Sequence, residues 1–229
     1  MADEEKLIRA QIEYYRARAA EYDEWFYRTG RYDRGEEHRC QWNAEVVIVR
    51  EALSEAQPQG KVLDLACGTG LWTEQLVAQA DKLIAVDASP EALEITRRRV
   101  ADCRIECVEA DIFSWQPSER FDFVFFGFWL SHVPETRFEK FWRLIADALI
   151  PGGKVFFVDS LLTQESTARD HAELERGGAA QRKLNDGREF EIVKVFYDPP
   201  KLQETLQNLG WQGQVTTTSQ FFLYGLFTR

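Results

Sequence analysis

The sequence predicts an α/β fold, a mostly parallel sheet with helices on both faces. Three observations predict it. Short apolar runs at 61–65, 82–86, 105–108, 121–127 and 154–159 alternate with helical patterns at 70–79, 90–101 and 135–148. That alternation gives parallel strands joined by covering helices. The first run, VLDLACGTG at 62–70, passes through an acid into a glycine-rich turn and then a helical pattern. A strand, a glycine turn and a helix form the nucleotide end of such a fold. Ser89-Pro90-Glu91 then opens the second helix with an N-cap serine, a proline at the first helical position and an acid near the positive end of the dipole.

The flanks follow in order. Residues 4–28 read as one helix rich in aromatics, with Tyr15, Arg18, Tyr22 and Phe26 on one face. A polar loop at 29–40 leads to a helix at 41–56, which ends before Pro58. Residues 1–56 are therefore expected to form a helical cap. Residues 163–188 are charged, contain Gly177-Gly178 and read as a helix and loop inserted after the fifth strand. With an alternating strand at 189–197, the segment 163–197 is expected to be a lid. Asp198-Pro199 suits an N-cap and first helical position for a helix at 201–209. Two closing strands follow within 213–228. No repeat divides the chain, so 1–229 is read as a single domain.

Composition narrows the function. A net charge of −10 argues against a nucleic-acid partner, which would need a basic face. The longest apolar run is about eight residues, against roughly 20 for a membrane span. The acidic start MADEEKLIRA is no signal peptide, and a cytoplasmic protein is expected. Cys40, Cys67, Cys103 and Cys107 lack paired metal spacing, so they read as reduced thiols and no metal is expected.

Two acids define the chemistry. Asp64 beside the glycine turn would repel a pyrophosphate but suits a cofactor with a cationic amino group. Asp87 closes the second apolar run, at the spacing where a carboxylate grips ribose hydroxyls. The turn reads AxGxG rather than GxGxxG. Together these features favour S-adenosylmethionine over a dinucleotide. Gly68 and Gly70 are expected to let the backbone approach that cofactor.

VLDLACGTG resembles motif I of the class I S-adenosylmethionine-dependent methyltransferases, usually E/DxGxGxG, with Ala66 where the first glycine is common. AVDAS at 85–89 resembles the family's ribose motif, EADIF at 109–113 its adenine edge, FDFVFFGFWLSHVP at 121–134 its fourth strand and acceptor-facing turn, and LIPGGKVFF at 149–157 its turn into strand five. The resemblance implies a Rossmann-like class I methyltransferase fold with a mostly parallel seven-stranded sheet. It implies that Asp64 engages the methionine end of the donor, Asp87 the ribose, and Asp111 and the Ile112 N–H the adenine. Ala66, Ala88 and Phe126 complete the expected donor site. YYRARAAEYD at 14–23 is similar to the N-terminal segment of many small-molecule methyltransferases. That similarity assigns Tyr14, Arg18 and Tyr22 to the donor, with Arg18 on its carboxylate.

The acceptor is expected just beyond strand four. His132 is the candidate general base there. Trp25, Tyr32, Trp129, Phe196 and Tyr224 are the candidate acceptor lining, aromatic enough for a flat or lipophilic molecule. A small acceptor methylated at O, N or S is the reading. A tRNA or protein acceptor, or a donor-binding module without catalysis, are the alternatives.

Overall fold

The structure, a computed structural model, describes residues 2–170 and 178–229. Five strands lie parallel: β1 (Lys61–Leu65), β2 (Lys82–Asp87), β3 (Ile105–Glu109), β4 (Phe121–Gly127) and β5 (Leu149–Ser160). A separate hairpin, β6 (Ala179–Lys183) and β7 (Glu189–Val193), follows β5. β8 (Gln212–Thr217) and β9 (Phe222–Thr228) close the main sheet, with β9 antiparallel to β5. The seven-stranded order is β3-β2-β1-β4-β5-β9-β8. β1 therefore lies between β2 and β4, where the winding direction reverses. Ligands bind such sheets outside the carboxyl ends of the strands at that switch point. Asp64, Asp87 and Gly127 all stand at those ends.

The central strands are apolar on both faces because helices cover both. On one face α6 (Phe138–Ala148) buries Phe138, Phe141, Trp142, Ile145 and Ala148 with α7 (Pro199–Asn208) beside it. On the other, α3 (Glu36–Glu55) buries Trp42, Val46, Val49 and Leu53, with α4 (Thr73–Val77) beside it. α5 (Pro90–Arg99) starts as its sequence dictates, the Ser89 hydroxyl accepting from Ala92 N at 3.0 Å. Asp198 likewise caps α7 through Lys201 N, with Pro199 at its first position.

Two expectations change. The N-terminal helix is not continuous over 4–28. α1 (Ala2–Arg18) ends, the chain turns through residues 19–21 by hydrogen bonds of i to i+3 type, and α2 (Tyr22–Tyr27) begins afresh. The described part of 163–188 is not a helix and loop. It holds a 3-10 turn at Gln164–Ser166 and strand β6; residues 171–177, including Gly177, lie outside the described residues.

α1 docks on the hairpin through Gln11, which is buried. Its amide donates to the His132 carbonyl at 3.2 Å, and its carbonyl accepts from Val193 N at 3.1 Å. Ion pairs hold the rim: Arg137 with Glu4 at 2.8 Å and with Glu5, and Arg16 with Glu91 at 3.0 Å. α2 is fixed to the glycine turn by Asp23, which accepts from the Thr69 hydroxyl at 2.6 Å and pairs with Arg99.

Candidate active site

Three connected cavities open at the switch point. The largest, about 760 Å³, runs over the ends of β1 and β2 and is roofed by Ile8, Gln11, Ile12 and Tyr15 of α1. Asp87, Ala88 and Gly68 line its middle. Asp111, Ile112, Phe113 and Trp129 form its far end. A second, of about 340 Å³, lies over Asp64, Ala66 and Cys67. A third, of about 560 Å³, sits between α1, α2 and the hairpin. Tyr22 and Phe128 line all three. Phe128 has a φ of 56°, a left-handed backbone that costs a bulky residue energy and is held by its N–H on the Val158 carbonyl at 2.7 Å. Strain of this kind collects at sites where a side chain must be aimed.

The first two cavities are acidic. Asp87 accepts from Gly68 N at 2.9 Å and Ser89 N at 2.8 Å, so both carboxylate oxygens are oriented by backbone. Burial raises its pKa. Asp64 accepts from the Thr73 hydroxyl at 2.6 Å. Burial, with the charge of Asp87 adding to it, pushes Asp64 up to about 7 against the pull of Thr73. A cation beside these acids would recover that desolvation cost. Ala66 has a φ of 54° and Gly68 of 57°. The turn thus asks for glycine at position 66 too, and alanine adopts the left-handed region at a cost of about 1 kcal/mol. No heavy atom lies within 4 Å of a Cβ built on Gly68, so this backbone faces open space.

The third cavity is cationic. Arg18, Arg182 and Lys194 line it with Tyr14, Tyr15, Tyr32, Ser160, Thr167 and Phe196. Arg18 is 8% exposed and Arg182 9%. Among the described residues neither has a carboxylate within ion-pairing distance. Lys194 donates to the Ser131 hydroxyl at 2.7 Å and lies 3.9 Å from Asp159. Burial lowers Lys194 to about 8, although Asp159 opposes the shift. The Tyr14 hydroxyl is buried and has no hydrogen-bond partner among the described residues.

His132 stands between the first and third cavities. Its Nδ1 is 2.7 Å from the Val193 carbonyl, a bond that only an N–H can make. Nε2 is then the acceptor for the Tyr15 hydroxyl, also at 2.7 Å. Burial, with Lys194 nearby, keeps the ring's pKa well below 6.5, so the imidazole is neutral. Both nitrogens are engaged.

Comparison with known proteins agrees with this layout. Residues 62–153 match the family model described as "Methyltransferase domain". DhpI, solved in complex with SAM and HEP, is 38% identical with a TM-score of 0.82; the match covers 97% of this chain and 98% of that one. The chain belongs to the class I S-adenosylmethionine-dependent methyltransferases. The cypemycin N-terminal methyltransferase of a Streptomyces species is 32% identical over 69% of this chain and 62% of its own length. The ubiquinone biosynthesis O-methyltransferase of Idiomarina loihiensis is 31% identical over 42% of this chain and 41% of its own. The chain thus matches about half the length of these curated relatives.

The donor of this family, S-adenosylmethionine, supplies an activated methyl group on sulfur. The residues present fit it. Asp64 would hold its ammonium, Asp87 its ribose hydroxyls, and the apolar end between Ala88, Ile112, Phe113 and Trp129 its adenine. Asp111 also caps its own turn, accepting from Phe113 N at 3.0 Å.

The structure brings together Asp64, Ala66, Gly68, Asp87, Ala88, Asp111 and Ile112 along the first two cavities, the candidate donor cradle, with Tyr22 where they meet. It moves other residues. Tyr14 and Arg18 line the cationic cavity rather than the cradle, because α1 turns them toward the hairpin. Trp129, expected on the acceptor, stands in the cradle, 5.4 Å from Phe113 ring to ring. Trp25, Tyr32 and Phe196 do line the cationic cavity. Gly70, Phe126 and Tyr224 line none of the three. A Cβ on Gly70 would meet the Thr96 backbone at 3.2 Å, so this glycine serves the packing of α5. Phe126 points to the α6 face, against Phe141 and Phe157, because side chains alternate along β4. Tyr224 stacks near Phe156 on the α3 face of the sheet.

Sequence reasoning missed Tyr15, Arg182 and Lys194. A signal for Lys194 was present: Ile192, Lys194 and Phe196 alternate along one face, and only Phe196 was singled out. Asp186-Gly187 is a hairpin signal that would have paired Arg182 with that strand.

Proposed function

We propose that the chain transfers the methyl group of S-adenosylmethionine to an oxygen of a small anionic molecule. One observation carries the choice of acceptor: Arg18, Arg182, Lys194 and the Tyr14 hydroxyl, which has no partner among the described residues, line a single cavity that meets the donor cradle at Tyr22 and Phe128. Buried cations without carboxylate partners are costly unless an anion completes them. DhpI has been solved with SAM and HEP held in one complex, which supports a donor and a second small molecule in this fold.

An oxyanion carries no proton on the attacking atom, so no general base is required. His132 then acts as a positioning residue: it fixes the Tyr15 hydroxyl at the wall between donor and acceptor. Tyr22, Phe128 and Trp25 exclude water and hold the two reactants in line, which is the main source of rate for an already activated methyl group.

Labelled-methyl transfer from the donor to a panel of anionic and neutral small molecules tests the proposal. Anionic oxygen acceptors should be methylated and neutral phenols and amines should not. Arg18→Ala or Arg182→Ala should raise the acceptor KM about 10- to 100-fold, the worth of a charge-assisted hydrogen bond, with affinity for S-adenosylhomocysteine preserved. Transfer to neutral amines alone, or a rate that falls as pH drops through the ordinary imidazole range and collapses in His132→Ala, would replace this reading with base catalysis.

A further inference from the structure

The seven-stranded sheet ends in two edges, β3 and β8. A sheet edge presents N–H and C=O groups to any strand that can reach them, and proteins blunt such edges with charge, proline or a cover. β3 (IECVE) is blunted by charge: it carries Glu106 and Glu109, and Glu106 lies 3.7 Å from the Lys82 ammonium. β8 (QGQVTT) has no charged residue and no proline, and five of its six residues are exposed. Its composition is that of a strand open to pairing.

What meets the outer side of β8 is a side chain. Gln203 reaches over from α7, donating from Nε2 to the Gly213 carbonyl at 2.9 Å and accepting at Oε1 from Val215 N at 2.6 Å. A neighbouring parallel strand would make the same two contacts, one N–H to the carbonyl of residue 213 and one C=O from the N–H of residue 215. The side-chain amide offers the donor and acceptor of a peptide group, so it satisfies the edge without extending the sheet. Bonding direction alternates along a strand. Residues 213, 215 and 217 therefore turn their backbone groups outward, while 212, 214 and 216 face β9. Pro199 and Pro200 flank the same open groove, and neither has an N–H to offer a strand.

We propose that the outer edge of β8 is a strand-pairing surface for a second copy of this chain, and that the Gln203 amide keeps it closed. The occupant follows from charge. An uncharged edge meets its own copy about a two-fold axis without like-charge repulsion, and the two edges close on each other as a pair. Pairing of β8 with the β3 edge of another copy would instead run on into a filament. Glu106 and Glu109 oppose that approach in a chain of net charge −10. The two edges are thus protected by different means, β3 by fixed carboxylates and β8 by a side chain that can swing away.

Sedimentation velocity over a wide range of concentration tests this with wild type, Gln203→Met and Gln203→Glu. Methionine keeps the length of the side chain and removes both hydrogen-bonding groups. Glutamate still accepts from Val215 N and places a charge on the edge. The mass of Gln203→Met should double with rising concentration, in a range where wild type shows no such step. Gln203→Glu should follow wild type. Adding Thr217→Lys, a charge at an exposed position of β8, should abolish the doubling in Gln203→Met. A Gln203→Met protein that binds S-adenosylhomocysteine like wild type and gains no mass overturns the proposal. So does an association that Thr217→Lys leaves intact, because it uses another surface. If Gln203→Met does not bind S-adenosylhomocysteine and so has not folded, amide exchange in wild type decides. The Val215 N–H, held by Gln203, should exchange about 2- to 10-fold more slowly than the outward N–H of Thr217, one hydrogen bond's worth. Equal rates at the two amides refute the cover.

Discussion

Asp64 carries a cost that only a bound cation relieves. Its carboxyl sits near the end of a strand that is buried from Val62 to Leu65, and burial lifts it to about 7. A folded-state pKa above that of the unfolded chain means a contribution to stability that is complete below the unfolded value, near 4, and lost as pH rises through about 7. Asp64→Asn should therefore raise the melting temperature of the ligand-free protein at pH 8, with no gain near pH 4. The same change should weaken S-adenosylhomocysteine. In wild type that affinity should decline as pH falls through about 7, and in the variant it should not vary. Thermal unfolding and calorimetry across pH 4–8 check both halves. A variant that binds as tightly as wild type at pH 8 would remove Asp64 from the donor site. Stability and binding oppose each other at this residue, as expected where a site holds an unfavourable charge in readiness.

At the scale of elements, α1 and the β6–β7 hairpin act as one unit. α1 supplies Ile8, Gln11, Ile12 and Tyr15 to the donor cradle and Tyr14, Tyr15 and Arg18 to the cationic cavity. Its attachment combines the buried packing of Tyr14 on Leu184 and Ile192 with a polar clasp, Gln11 between His132 and Val193. Gln11→Ala leaves a buried carbonyl and a buried N–H unpaired, at about 1–3 kcal/mol each. Residues of α1 and β7 should then exchange amide hydrogens faster while the β1, β4 and β5 core stays protected. The KM values of donor and acceptor should rise together. A rise in only one would mean that α1 serves only one cavity.

For the whole molecule, one element shared by two cavities makes linkage between them testable. If donor product and acceptor both favour docked α1, each must tighten the other by the same factor. Calorimetry of phenyl phosphate with and without saturating S-adenosylhomocysteine should give a several-fold gain, matched by the reciprocal titration. Independent binding would show that α1 stays docked in the free protein.

The sheet was legible in the sequence because each central strand is apolar on both faces, and its covering helices announce themselves by caps such as Ser89-Pro90. The acidic glycine turn was legible for a local reason. Asp64, Ala66, Gly68 and Asp87 lie at strand ends, where backbone geometry alone dictates which atoms face the ligand. The break between α1 and α2 was not legible, since the aromatic and basic residues on either side keep a helical spacing through it. Nor was Phe126, because an all-apolar strand does not reveal which of its faces a residue occupies.

By itself, then, the sequence determined the first five strands of the sheet, the acidic glycine turn and the family. Those features depend on contacts between residues close in the chain or on the period of a single element. The cationic cavity was decided only by tertiary structure. Arg18 lies more than 160 positions from Arg182 and Lys194, and each alone reads as an ordinary surface cation. Their meaning arises when α1 and the hairpin bury them around one cavity. There desolvation, which no sequence pattern records, turns three scattered charges into a demand for an anion.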